Sequence, residues 1–205
     1  MRSKDSPGGR TFTDEARRRQ LVECAVEVIA EEGFAKASLA RIAQRAGVAK
    51  SVVLYHFANK DELVEQVLTA VSQASIGSLA SRLGAVTTAR GKLAAAIESV
   101  AEFIDTHRAE ALAGLETWNQ TRSLPGRERL AADPEGAGVE GIRQLLVEGQ
   151  QAGEFGEFDP HVMAVMYRQA IDAVTLEAAL HPETDLHAFI GELVALFDRA
   201  TRRQS

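Results

Sequence analysis

The chain is expected to be all-α: an N-terminal three-helix head containing a helix-turn-helix, then a larger helical body. Apolar residues recur at helical spacing along most of its length, and no stretch sustains the period-two alternation of a strand. Glycines, prolines and cap-forming residues interrupt that pattern where helices should begin and end. The stretch Ser38–Lys60, SLARIAQRAGVAKSVVLYHFANK, reads as two short helices around a tight turn and the start of a third. We place the head at residues 1–60 and the body at residues 61–205.

Residues 1–12 are polar, with Pro7, Gly8 and Gly9, and are expected to form a flexible arm. Arg2, Lys4 and Arg10 suit a minor groove, and a plain solvated tail is the competing reading. Thr13 is expected to cap the first helix, with Asp14 and Glu15 complementing its dipole. Leu21, Val22, Ala25, Val28 and Ile29 form the buried stripe of that helix, and Gly33 ends it. Arg17 to Arg19 suit either phosphates or solvent.

Ser38 is a good N-cap, because its hydroxyl can accept from a backbone N–H that the first turn leaves unpaired. Leu39, Ile42, Ala43 and Ala46 make one apolar face, and Gly47 supplies the chain reversal. Val48 plugs the corner, and Lys50–His56 forms the next helix with Val53 turned inward. Small Ala43, turning Gly47 and branched Val53 stand where two helices crossing at about 90–120° must nearly touch. That is a helix-turn-helix signature. Asn59 with Glu62 three residues on starts the next helix in the manner of a capping box. It continues through Leu63, Val64, Val67, Leu68 and Val71 to about Leu83.

The segment Ile42-Ala43, Ala46-Gly47-Val48, Ser51, Val53, His56-Phe57 and Lys60 resembles the DNA-binding segment of the TetR (tetracycline-repressor-like) family. Ala49 departs from the usual Ser/Thr cap, and Leu54 from the usual tyrosine, with Tyr55 following it. The resemblance implies a dimeric, ligand-responsive transcriptional repressor bound to a pseudo-palindromic operator in double-stranded DNA. An activator, or a regulator answering to a protein partner, is the alternative. An all-helical enzyme or carrier is a weaker third, because a structural corner needs no outer face like Lys50, Ser51 and Tyr55.

In the body, Leu93, Ile97, Val100 and Ile104 mark one helix, and Leu112, Leu115 and Trp118 the next. A polar stretch with Pro125, Gly126, Asp133, Pro134, Gly136 and Gly138 reads as a mobile loop. Ile142, Leu145 and Leu146 define a helix closed near Gly153. Asp159-Pro160 is a cap followed by proline at the first helical position, opening a helix to about Leu180. The last helix starts at Thr184 or Asp185 and carries Leu186, Phe189, Ile190, Leu193, Leu196 and Phe197. Both final helices are long and alanine-rich, so they are the candidates for pairing two chains into a four-helix bundle. A single head reads few bases, hence the expectation of a homodimer.

Charge divides with the domains. Residues 1–60 hold eleven Lys/Arg against seven Asp/Glu, residues 61–205 twelve against twenty-two, within a net charge of −6. A basic head on an acidic body orients the approach to phosphates. No apolar run approaches the roughly 20 residues of a membrane span, and no secretory h-region opens the chain. A single cysteine, Cys24, excludes an internal disulfide, reads as a packing residue and fits the cytoplasm.

No phosphate-binding glycine loop, metal pattern or nucleophile–base pairing is legible, so neither a cofactor nor catalysis is expected. For DNA, Lys50, Ser51, Val52 and Tyr55 form the outward set of the recognition helix, reading base edges and thymine methyls. Leu54 is expected to turn inward with Val53. His56 and Lys60 match backbone-contact positions of the resembled family, Lys60 at a helix N-terminus. Arg41 and Gln44, on the helix capped by Ser38, suit phosphates or base edges. The same resemblance implies a small-molecule effector of unknown identity held between body helices. Phe103, His107, Trp118, Asn119, Met163, Met166, Tyr167 and Gln169 have the chemistry for its pocket.

Overall fold

A computed structural model describes residues 12–84, 86–121 and 134–203, without the side chains of 134–137. Among these residues there are helices and no strand. The order is α1 (Phe12–Glu32), α2 (Leu39–Arg45), α3 (Lys50–His56), α4 (Lys60–Leu83), α5 (Ala89–Thr106), α6 (Arg108–Thr121), α7 (Pro134–Gln151), α8 (Pro160–Leu180) and α9 (Leu186–Thr201). The arm residues Arg2, Lys4 and Arg10 and the loop residues Pro125, Gly126 and Asp133 lie outside the described residues.

Most ends fall where local chemistry sets them. Ser38 accepts from the Arg41 N–H at 3.2 Å, Asn59 from Glu62 at 2.9 Å, and Asp159 from both His161 and Val162. Asp185, rather than Thr184, caps α9, accepting from Ala188. Gly33 and Gly47 have φ of +87° and +66°, conformations that cost an L side chain on the order of 1 kcal/mol. Two expected boundaries move. Helix α1 already includes Phe12, so Thr13 lies inside it and is not its cap. Helix α7 begins at Pro134, so the expected loop ends before Gly136 and Gly138; proline suits a first helical position, where no N–H is needed.

Two apolar cores result. The first gathers the α1 stripe, Ile42 and Ala43 of α2, Val53 of α3, and Phe57. Leu63 and Val67 of α4 and Ala113 of α6 are buried in the same cluster. The second joins Leu93, Ile97 and Ile104 of α5, Leu146 of α7, Ala164, Tyr167 and Val174 of α8, and Ile190 and Phe197 of α9. Val71 on α4 packs against both.

Helix α6 buries a face that periodicity did not single out. Leu112, Leu115 and Trp118 are half-buried, whereas Ala111, Ala113, Thr117 and Thr121 are buried. The helix is wedged among α1, α4 and α8, where small side chains permit close approach. A Cβ on Gly114 would stand 2.8 Å from the Val71 side chain, which makes the fit at α4 a steric one.

At the far end of the body, Arg90 ties three elements together. It donates to the Glu154 carbonyl at 3.0 Å and pairs with Asp198 of α9. The buried Tyr167 phenol donates to the Leu93 carbonyl, and its ring meets Phe197 edge-on at 4.9 Å. Burial pushes that phenol well above its ordinary pKa, so it stays a neutral donor.

Candidate nucleic-acid interface

The recognition helix α3 is seven residues long and has no side-chain N-cap, since Ala49 offers no acceptor. Tertiary anchoring must therefore hold it. Val53 and Phe57 are both fully buried beneath it. At its C-terminal end Arg18, reaching across from α1, donates to the His56 carbonyl and pairs with Glu62 of α4 at 2.8 Å. The same guanidinium lies 4.2 Å above the centre of the Phe57 ring. Glu62 also accepts from the Ala58 N–H at 2.8 Å, closing the corner between α3 and α4.

The outward face of α3 is formed by Lys50, Ser51, Leu54 and Tyr55, all exposed, with Val52 and His56 half-buried at its margin. Tyr55 is 75% exposed and meets the His56 ring edge-on at 5.0 Å. Leu54 corrects the sequence reading: it is 46% exposed rather than turned inward. Val53 and Phe57, four residues apart, already fill the inward direction, and Leu54 lies about 100° around the helix from Val53.

Helix α2 presents its polar groups differently. Ser38 is exposed, with its hydroxyl engaged as the cap. Arg41 donates to both Glu32 carboxylate oxygens, at 2.6 Å for the closest, and to Gln44 at 2.9 Å. Arg45 pairs with Glu27 at 3.1 Å and with Glu31. Hydrogen bonds from Arg45 and Arg41 hold the Glu31 and Glu32 carboxyls below the usual carboxylate range.

Lys60 stands apart from this face. Its ammonium donates to the Phe34 carbonyl at 3.0 Å and sits 4.1 Å from the centre of the Phe34 ring. Burial pushes its pKa down. The Phe34 N–H in turn donates to Glu116 of α6 at 3.3 Å. In this structure the expected phosphate contact is an internal tie between the head's first loop and the start of α4.

The eight residues proposed for an effector pocket are not brought together as one set: Phe103 and Tyr167 share the second core, with Met163 packed against it, while Asn119, Met166 and Gln169 are exposed. Phe103 is buried and stacks on half-buried His107 at 5.5 Å, and Thr106 bonds to that imidazole. Tyr167 is buried, Trp118 and Met163 are half-buried, and Asn119 and Gln169 are exposed. Met166 is 58% exposed. The reason is helical phase, since Val162, Met166, Gln169, Ala173, Leu176 and Leu180 share the outward face of α8. A recess of about 40 Å³ lies elsewhere, among Arg90, Leu93, Ile97, Phe155, Phe197 and Thr201, and includes none of the eight. Among the described residues no group of His, Cys, Asp or Glu is placed to hold a metal ion, and no helix is long and apolar enough to cross a membrane.

Two contributors escaped the sequence reading, Leu54 and the bracing role of Arg18. The four-residue spacing of Val53 and Phe57 was the available signal for the first. Nothing local signalled the second, whose partners lie 38 and 44 residues away.

Comparison with known proteins places these observations. The family model for bacterial regulatory proteins of the tetR family matches residues 21–67. The chain is 29% identical over 116 residues to the HTH-type transcriptional regulator BetI of Cronobacter sakazakii, covering 56% of this chain and 57% of that one. It is 38% identical over 98 residues to the HTH-type transcriptional activator FasR of Mycolicibacterium smegmatis, covering 48% and 44%. The chain thus spans about half the length of the curated relatives it matches. A transcriptional regulator FadR from Bacillus subtilis, solved in complex with stearoyl-CoA, superposes with a TM-score of 0.74 at 25% identity, covering 87% of this chain and 96% of that one.

Proposed function

Since the chain belongs to the TetR family of bacterial regulatory proteins, we propose that it is a ligand-responsive regulator of transcription, acting as a dimer on a pseudo-palindromic operator. The observation that carries this is the outward face of α3: Lys50, Ser51 and Tyr55 exposed on a short helix fixed from behind by buried Val53 and Phe57. A face so held can enter a major groove without first being ordered. Lys50, Ser51, Val52 and Tyr55 read base edges, His56 contacts the backbone, and Ser38, Arg41 and Gln44 flank them. Residues 1–60 act as the reading head and 61–205 as the effector and pairing body. No catalytic step belongs to this reading.

Pairing of two chains through α8 and α9 is supported by their exposed apolar residues, among them Val162, Met166, Leu180 and Leu196. Binding of a small-molecule effector is supported by the stearoyl-CoA complex of the Bacillus subtilis relative, and we place that effector between body helices. A 40 Å³ recess holds little more than one water-sized group. An effector larger than that enters this recess only by separating α5 from α9, and the ligand shifts the dimer between states only by its differential affinity for them. Repression is the reading we adopt, because occupying an operator suffices for it. Activation, as in the FasR relative's name, is the second.

Anisotropy titrations on DNA upstream of the chain's own gene, across several salt concentrations, test the function. Expected are sequence-selective binding and a steep salt dependence, with sedimentation at twice the 22.1 kDa chain mass. A monomer, or binding equal to that of scrambled DNA, overturns the proposal. A reporter that falls rather than rises when the chain is deleted makes it an activator.

A further inference from the structure

We infer that Leu54 is a specificity-determining residue that reads the C5-methyl group of a thymine in each half-site, an inference that rests on the DNA-binding reading above. Leu54 contributes little to the head's core: it is 46% exposed, while Val53 and Phe57, its neighbours on the inward side, are completely buried. It stands on the same face as Lys50, Ser51 and Tyr55, the groups that meet DNA in the proposed docking. The major groove is wide enough for one helix, and its base edges display donors, acceptors, the flat C5–H of cytosine and one projecting apolar group, the thymine methyl. A leucine pressed against any other edge would strip water from a donor or acceptor and give it no partner. The one edge that an exposed leucine matches is therefore that of thymine.

Its neighbours divide the remaining work. Lys50 and Ser51 carry donors for guanine, adenine or phosphate, and Tyr55 has a hydroxyl beyond its ring. Val52 is half-buried and lies about 160° around the helix from Leu54, so it faces a different base step. Sensitivity to loss of one thymine methyl should then belong to Leu54 separately from Val52 and Tyr55.

The test is a cycle of protein and DNA changes. Operator duplexes in which dU replaces dT, one symmetric pair of positions at a time, are titrated with the full chain, with Leu54→Ala, and with Val52→Ala and Tyr55→Ala. One pair of positions is expected to cost the unchanged chain about fourfold in affinity per half-site, the worth of roughly one buried methyl, and so about 16-fold over two. Leu54→Ala should bind the dT operator more weakly and lose its sensitivity at that pair alone. Val52→Ala and Tyr55→Ala should keep it. The melting temperature of Leu54→Ala should stay within about 2 °C of the unchanged chain, as for a surface substitution. Indifference to dU at every position, undiminished dU sensitivity in Leu54→Ala, or a sharply lowered melting temperature would each overturn the assignment while leaving operator binding intact. Absence of any sequence-selective binding would instead remove the DNA-binding reading, and this inference with it.

Discussion

Arg18→Met removes a guanidinium from behind the recognition helix while keeping most of its aliphatic volume. In the structure that group donates to the last carbonyl of α3, pairs with Glu62 at 2.8 Å and covers the Phe57 ring at 4.2 Å. A hydrogen bond from a charged donor contributes about 1.5–3 kcal/mol, a ring contact about 0.5–1 and a part-exposed ion pair no more than about 1. The three share one side chain and are not additive, and the freed His56 carbonyl can reach water, so a total of about 2–3 kcal/mol is reasonable. For a chain of this size each kcal/mol moves the melting temperature by about 2–4 °C, which predicts a fall of roughly 4–12 °C in the transition that unfolds the head. Operator affinity should drop up to about tenfold as the end of α3 loosens, with its salt dependence unchanged, because no phosphate contact is lost. Arg18→Lys, which keeps charge without the fork, should recover part of the stability. Circular dichroism melts and titrations at three salt concentrations decide the matter. An unaltered melting temperature with a salt slope reduced by about 0.9 per lost contact would identify Arg18 as a phosphate ligand and refute the brace.

Tyr55→Ala should lower operator affinity at least about tenfold, and Tyr55→Phe less, with melting unaffected because the ring is 75% exposed; a lowered melting temperature would place that ring in the core. Lys60→Ala should lower the melting temperature by several degrees through loss of the Phe34 carbonyl bond and ring contact, with the salt slope retained; a slope shallower by about one unit per lost contact would restore its phosphate role. On α7, a Cβ at Gly149 would lie 2.3 Å from the buried Phe155 ring, whereas Gly141 has nothing within 4 Å. Gly149→Ala should therefore destabilise by about 1–3 kcal/mol and Gly141→Ala stabilise by up to about 1 kcal/mol, opposite shifts in one thermal scan. Met166→Glu should dissociate a dimer formed through α8 without unfolding the chain, read by sedimentation; an intact dimer would move the interface elsewhere.

The head's helices were legible because each has its own cap, turn and stripe within a few residues. Ser38, Gly47 and Asn59 define α2, α3 and the start of α4 through bonds to neighbours no more than five residues away. Leu54 was misread because seven residues give too few turns for periodicity to separate the flank of a helix from its inner face. The buried face of helix α6 was not legible for another reason. Leu112, Leu115 and Trp118 marked the helix, but the space between α1, α4 and α8 takes small side chains, and that space exists only after folding. The internal tie of Lys60 depends on Phe34, 26 residues earlier. The scattering of the pocket candidates had the same origin: chemistry nominated them one by one, but the phase of α8 points Met166 and Gln169 away from Tyr167.

The shared first core bears on how such proteins recombine. Leu63, Val67 and Ala113 are buried with the residues of α1 to α3, and Gly114 fits under Val71 with no room for a Cβ. A crossover at the end of α3 would pair one parent's head with another parent's α4 and α6, leaving a mismatched seam. A crossover between Val71 and Leu83 keeps α4's part of that core with its own head, and asks of the incoming body a small residue in the place of Ala113, a glycine opposite Val71 and an acceptor for the Phe34 N–H in the place of Glu116. Head and body then exchange along the second half of one helix, where the incoming α5 must also offer carboxylates to Arg82 as Glu98 and Glu102 do, rather than at the loop between α3 and α4.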